Sequence, residues 1–122
     1  MIRVLLVDDD PLVLLAAGAA LRADGDFDVR GADTAATALR QAEADPPDVV
    51  VCDVQLPDHD GPELLGRLRA GARARDVPVI FLTASASPAE ADRLRALGAR
   101  GVIAKPFDPL ALAGEVRRLL RA

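Results

Sequence analysis

The chain has 122 residues, 51% hydrophobic and 28% charged, with a net charge of −4 at pH 7. That is enough apolar residue for one domain with a core, which excludes disorder, and no apolar run approaches the roughly 18 residues of a membrane span. One Cys rules out an internal disulfide framework, and the acidic balance argues against nucleic acid or an anionic membrane as partner, so a cytoplasmic domain is expected.

Strand and helix patterns alternate five times. Residues 2–7, Ile-Arg-Val-Leu-Leu-Val, predict a strand, because a near-continuous apolar run suits a sheet covered on both faces. Asp10-Pro11 then offers an N-cap and a proline at the first helical position, opening a helix over 11–23 that Gly25 stops. A second strand, weaker in pattern, falls at about 28–32 and a helix at 35–44. The third strand is 48–54, Asp-Val-Val-Val-Cys-Asp-Val, and Asp60-Gly61-Pro62-Glu63 starts a helix over 61–70 that ends at Gly71. Residues 78–83, Pro-Val-Ile-Phe-Leu-Thr, form the fourth strand. Ser87-Pro88-Ala89-Glu90 is a capping box for a helix over 88–97, closed by Gly98. Residues 101–104, Gly-Val-Ile-Ala, form the fifth strand, and Asp108-Pro109 repeats the cap-and-proline device for a helix over 109–121. The parsimonious fold is a single α/β domain over 1–122: a (βα)5 flavodoxin-like, doubly wound parallel sheet in strand order 2-1-3-4-5. No output domain is expected beyond the fifth helix.

In such a sheet, ligands bind beyond the carboxyl ends of the strands, beside the switch point between strands 1 and 3. Asp8-Asp9-Asp10 follow strand 1, Asp53 ends strand 3, Thr83 ends strand 4, and Lys105-Pro106-Phe107 follow strand 5. Topology therefore predicts Asp8, Asp9 and Asp53 side by side, with Thr83 and Lys105 on one flank and Asp10 serving as helix cap. Grouped carboxylates repel unless a cation joins them, and all-oxygen ligation suits Mg²⁺, with Mn²⁺ as the alternative, over zinc. With Asp53 as nucleophile, Thr83 as hydrogen-bond donor and Lys105 as countercharge, the set is a phosphoryl-transfer toolkit. Lys105 is the only lysine beside 14 arginines. An arginine-favouring genome explains the bias, and makes the surviving compact ammonium look chosen.

The strings VDDDP, CDVQLPDHDG, LTASA and AKPFDP, in this order across the whole chain, resemble the receiver domain of two-component response regulators, in a stand-alone, chemotaxis-regulator-like form. The resemblance implies that Asp8 and Asp9 hold Mg²⁺, that Asp53 accepts the phosphoryl group and also touches the metal, and that Lys105 contacts the phosphate. It further implies that Gln55 supplies a backbone carbonyl to the metal and a side chain that tunes hydrolysis, that Thr83 is the switch hydroxyl, and that the peptide before Pro106 is cis. The implied donor is a sensor histidine kinase or a histidine phosphotransfer protein. A downstream protein would dock on the face of helix 4, strand 5 and helix 5 of a monomer or weak homodimer. The domain would then act as a self-phosphorylating timer with slow autodephosphorylation, not as a turnover enzyme. Val102 stands where receivers often carry Tyr or Phe, so the family's Thr–aromatic switch lacks its ring, and movement of the 83–88 loop and helix 4 is the expected route of the signal.

Two other readings remain open on the sequence. A phosphatase of the haloacid-dehalogenase type fits the Asp8-x-Asp10 spacing, but the length leaves no cap domain and Asp53-Val54-Gln55-Leu56-Pro57 has no role in it. A pseudo-receiver, an interaction module that is never phosphorylated, is disfavoured by the filled site. Cys52 reads as core and His59 as a solvated loop residue. Arg93, Arg95, Arg100, Arg117 and Arg118, which tint helices 4 and 5 basic, read as ordinary solvated surface, with a docking face as the alternative.

Overall fold

A computed structural model describes residues 1–121; Ala122, the last residue of the expected domain, lies outside the described residues. The elements run β1 (Ile2–Val7), α1 (Pro11–Asp24), β2 (Phe27–Ala32), α2 (Ala35–Ala44), β3 (Val49–Asp53), α3 (Gly61–Arg69), β4 (Val79–Thr83), α4 (Pro88–Ala96), β5 (Gly101–Ala104) and α5 (Leu112–Arg121). The strands form one parallel sheet in the order β2-β1-β3-β4-β5, as expected. No described helix is long and apolar enough to cross a membrane.

Each central strand divides its side chains between two cores. Leu5, Val7, Val50, Cys52, Val79 and Phe81 face α2, α3 and α4, joining Ala38, Ala42, Leu64, Leu65, Leu68 and Leu94. Val4, Leu6, Val49, Val51, Ile80 and Leu82 face α1 and α5, joining Leu21, Leu112, Val116 and Leu119. Period-2 alternation with both faces buried is why these strands read as unbroken apolar runs. Fully burying one such Leu or Phe contributes roughly 1.5–3 kcal/mol. β2 lies at the sheet edge with Asp28 and Gly31 exposed, which is why its pattern was the weakest.

The N-caps act locally as read, except that the Ser87–Glu90 capping box forms only its Ser87 half, the Glu90 carboxylate turning forward to Arg93. The Asp10 carboxylate accepts from the Leu12 N–H at 2.9 Å, and Asp60 and Ser87 accept from the Glu63 and Glu90 N–H groups at 2.8 and 3.2 Å. Gly25 closes α1 at φ 86°. Several boundaries differ from expectation. β3 and β4 start one residue late, β3 also ending one residue early, although Asp48 still exchanges hydrogen bonds with the Arg3 backbone. The last helix begins at Leu112, not at residue 109. Asp108 first closes a separate turn, its carboxylate accepting from the Leu110 N–H at 2.9 Å and its carbonyl from Ala111 and Leu112. The cap residue was right, and the regular helical run starts one turn later.

Candidate functional site

Parallel pairing of β1 with β3 and of β3 with β4 brings the ends of these strands to one edge, and β5 adds its own end beside β4. Asp8 leaves β1 buried, at 2% exposure, because its carboxylate turns back into the edge: Oδ1 accepts from the Asp10 N–H at 2.9 Å. Asp9 points to solvent, and Asp53, at the end of β3, is half-buried. One oxygen from each of Asp8, Asp9 and Asp53 lies within 4.8 Å of the others.

Lys105 follows β5 and reaches across the edge. Its Nζ lies 2.7 Å from Asp8 Oδ2 and 3.4 Å from Asp53 Oδ2. The Lys105 backbone N–H donates to the Thr83 carbonyl at 2.8 Å, and the Lys105–Pro106 peptide is cis, as the resemblance implied. Thr83 is buried, and its hydroxyl oxygen accepts from the Ser85 N–H at 3.1 Å, so it retains a proton to donate. The Gln55 N–H approaches Asp53 Oδ1 at 3.4 Å. Asp53, Gln55, Thr83, Ser85, Glu90 and Lys105 all line one cavity of about 290 Å³.

The electrostatics follow from this packing. Burial pushes the Asp53 carboxyl up, Lys105 pulls it down, and the Asp8 charge pushes it up again; the net shift is upward. Burial pulls Lys105 toward neutrality, but the hydrogen bond to Asp8 and the charges of Asp8 and Asp53 outweigh it and hold its pKa above the ordinary value. Three clustered carboxylates against one ammonium leave excess negative charge, and the donor set is all oxygen. The residues present therefore fit a hard divalent cation.

All the strand-end residues singled out in the sequence meet here, apart from Asp10, which caps α1. Cys52 is core: its Sγ donates to the Asp53 carbonyl at 3.0 Å, and burial first, then Asp53 and Asp8, push the thiol pKa up. His59 is partly exposed but paired, its Nδ1 2.8 Å from Glu63 Oε2 one turn along. Two contributions were missed. Glu90, read only as a capping residue, lines the cavity; its place three residues after the Ser87 cap and just beyond a site strand was the available signal. Asp58, seven residues before α3's Leu65, accepts from the Ala35 and Ala36 N–H groups at 2.9 and 3.0 Å and so ties the β3–α3 loop to the start of α2. A contact across 22 residues leaves no local signature.

Comparison with known proteins agrees with this fold. The response regulator receiver domain profile matches residues 4–117. The transcriptional regulatory protein PrrA of Mycobacterium tuberculosis is 41% identical over 121 residues, which are 98% of this chain and 50% of that protein, so the chain spans about half the length of such regulators. The chemotaxis response regulator CheY4 of Vibrio cholerae superposes with a TM-score of 0.90 at 30% identity, over 98% of both chains. The receiver domain of the sensor histidine kinase PA1611 of Pseudomonas aeruginosa, with magnesium coordinated in its active-site cleft, superposes at 0.86 and 30% identity, over 99% of this chain and 98% of that one.

Proposed function

We infer the chemistry of this site from one premise: the chain belongs to the response regulator receiver domain family of two-component signalling. We propose that residues 1–122 act as one receiver whose Asp53 takes a phosphoryl group from a phosphohistidine. A carboxylate oxygen of Asp53 bonds to phosphorus, the P–N bond to the donor imidazole breaks, and the imidazole keeps the electron pair. The meeting of Asp8, Asp9, Asp53 and Lys105 at one sheet edge carries this reading.

Asp8, Asp9 and Asp53, with the Gln55 carbonyl, would hold Mg²⁺ (or Mn²⁺), which supplies positive charge to the phosphoryl oxygens. Lys105 supplies a second positive charge, and the Thr83 hydroxyl donates a hydrogen bond to a phosphoryl oxygen. The donor is a sensor histidine kinase or a histidine phosphotransfer protein, and the phosphorylated state docks a downstream protein through the α4–β5–α5 face. Val102 packs against the core as an aliphatic residue, so the signal travels through the 83–88 loop and α4 instead of an aromatic ring.

The test is the intact mass after incubation with Mg²⁺ and acetyl phosphate. Wild type should gain one phosphoryl group, prevented by prior chelation, and Asp53→Asn none. A phosphoryl group on Asp53→Asn, or none on folded, Mg²⁺-binding wild type given also a phosphohistidine donor, would overturn the proposal.

A further inference from the structure

One wall of the Asp53 cavity plays no part in the chemistry above. Glu90, in the first turn of α4, lines the cavity together with Asp53, Thr83 and Lys105. Its side chain is only 24% exposed. Both carboxylate oxygens are taken by one guanidinium: Arg93 Nε donates to Oε2 at 3.0 Å and Nη2 to Oε1 at 2.7 Å. Arg93 in turn feels the charge of Asp60, on the loop that follows Asp53. The hydrogen bond to Arg93 holds the Glu90 carboxyl below the ordinary range, so both partners are charged at neutral pH.

A cap does not need this arrangement. The Glu90 N–H already bonds to Ser87, and the Glu90 carboxylate turns forward to Arg93. The pair is a neutral unit whose carboxylate half lines the cavity at Asp53 and whose guanidinium half is held against it from the more exposed side. Removing either partner leaves one full charge there, and the two removals have opposite signs. We propose that the Glu90–Arg93 pair sets the anion selectivity of the acceptor cavity, Glu90 opposing and Arg93 favouring the approach of an anionic phosphoryl donor to Asp53. The inference rests on Asp53 being the phosphoryl acceptor.

The reaction that reads it is transfer from acetyl phosphate. The phosphorus bonds to an Asp53 oxygen while its bond to the acetate oxygen breaks, and acetate leaves with the electron pair. One unit charge several ångströms from a dianion, partly screened by water, changes the local anion concentration by roughly three- to ten-fold at low ionic strength. The effect fades once the Debye length shrinks to about 3 Å, near 1 M salt.

The experiment follows phosphorylation of the full chain with saturating Mg²⁺ by intact mass, across acetyl phosphate concentrations, at low and at high salt. Glu90→Gln should raise the rate at subsaturating donor about three- to ten-fold, and Arg93→Gln should lower it by a similar factor. Both should act on the donor concentration needed more than on the maximal rate, and both should converge on wild type at high salt. Asp76→Asn, on the exposed loop before β4, changes net charge by the same unit and should leave the rate unchanged. Changes of the same sign in both variants, or changes that persist at high salt, would indicate a packing role for α4 and overturn the inference. Equal rates in all variants would do the same. A wild type that takes up no phosphoryl group fails at the underlying reading, and the inference falls with it.

Discussion

Lys105 ties the acidic edge together with one side chain. Its ammonium serves two carboxylates from a side chain that is 20% exposed, at 2.7 and 3.4 Å. A planar guanidinium places its charge farther from the stem and spreads it over a fork that cannot reproduce both contacts. Lys105→Arg should therefore slow phosphorylation of Asp53 by about ten-fold or more while leaving the fold intact, since charge is retained and placement lost. A variant as fast as wild type would show that placement does not matter. Asp53 carries the opposite kind of strain. Its folded-state pKa is raised, chiefly by burial, so its contribution to stability is complete below the ordinary carboxyl value and is lost as pH rises through the raised one. At neutral pH the ionised group thus opposes folding of the metal-free protein. Asp53→Asn is expected to raise the metal-free Tm at neutral pH and to give no such gain near pH 3, which thermal unfolding at the two pH values would decide.

At the scale of elements, two loops are held by contacts that cross the chain. Gly61 opens α3 where a Cβ would stand 2.5 Å from the Phe81 ring and 2.9 Å from the Asp53 carbonyl. The close approach lets the Gly61 N–H donate to the Val54 carbonyl at 2.6 Å and folds the loop back over the end of β3. Gly61→Ala should destabilise the domain by about 1–3 kcal/mol, because a backbone carbonyl and a buried ring cannot simply swing away. Denaturant unfolding would measure it. At the opposite edge, the Glu43 carboxylate from α2 accepts from the Ala72, Arg73 and Ala74 N–H groups, with Gly71 leaving room for it. Desolvation pushes its pKa up, but these backbone bonds dominate and the net shift is downward. Its contribution is therefore present above the ordinary glutamate value and lost as pH falls through the depressed one. Glu43→Gln should lower Tm at neutral pH, and the difference should close in acid.

On the scale of the whole molecule, the sheet is buried on both faces and its acidic cluster gathers at the carboxyl edge, with Asp8 buried, Asp53 half-buried and Asp9 open to solvent. The cores on the two faces hold the strand ends in register, so the acidic cluster is assembled before any cation arrives. Binding of Mg²⁺ to the folded state alone should then stabilise it by about 2.7 kcal/mol at a hundred times its Kd. Because the ligands must be deprotonated, the gain should shrink in acid, and Asp8→Asn and Asp9→Asn should reduce it. An unchanged Tm across a Mg²⁺ titration at neutral pH would contradict a resident divalent ion.

Much of this was legible in the linear order of residues. Five apolar strand runs, four side-chain caps and the alternation of strand with helix determined the fold, since each is a local pattern of period 2, period 3.6 or a single hydrogen bond. Once the strand order followed, the meeting of Asp8, Asp9, Asp53, Thr83 and Lys105 followed as well, because a parallel sheet delivers every strand's carboxyl end to the same edge. Only the tertiary structure decided the rest. That Gly61 must be a glycine depends on a ring twenty residues away, and that Asp58 caps a helix belonging to another unit depends on how two loops meet. These are contacts between segments distant in sequence, and their geometry is set by how the two cores fill, which no local pattern records.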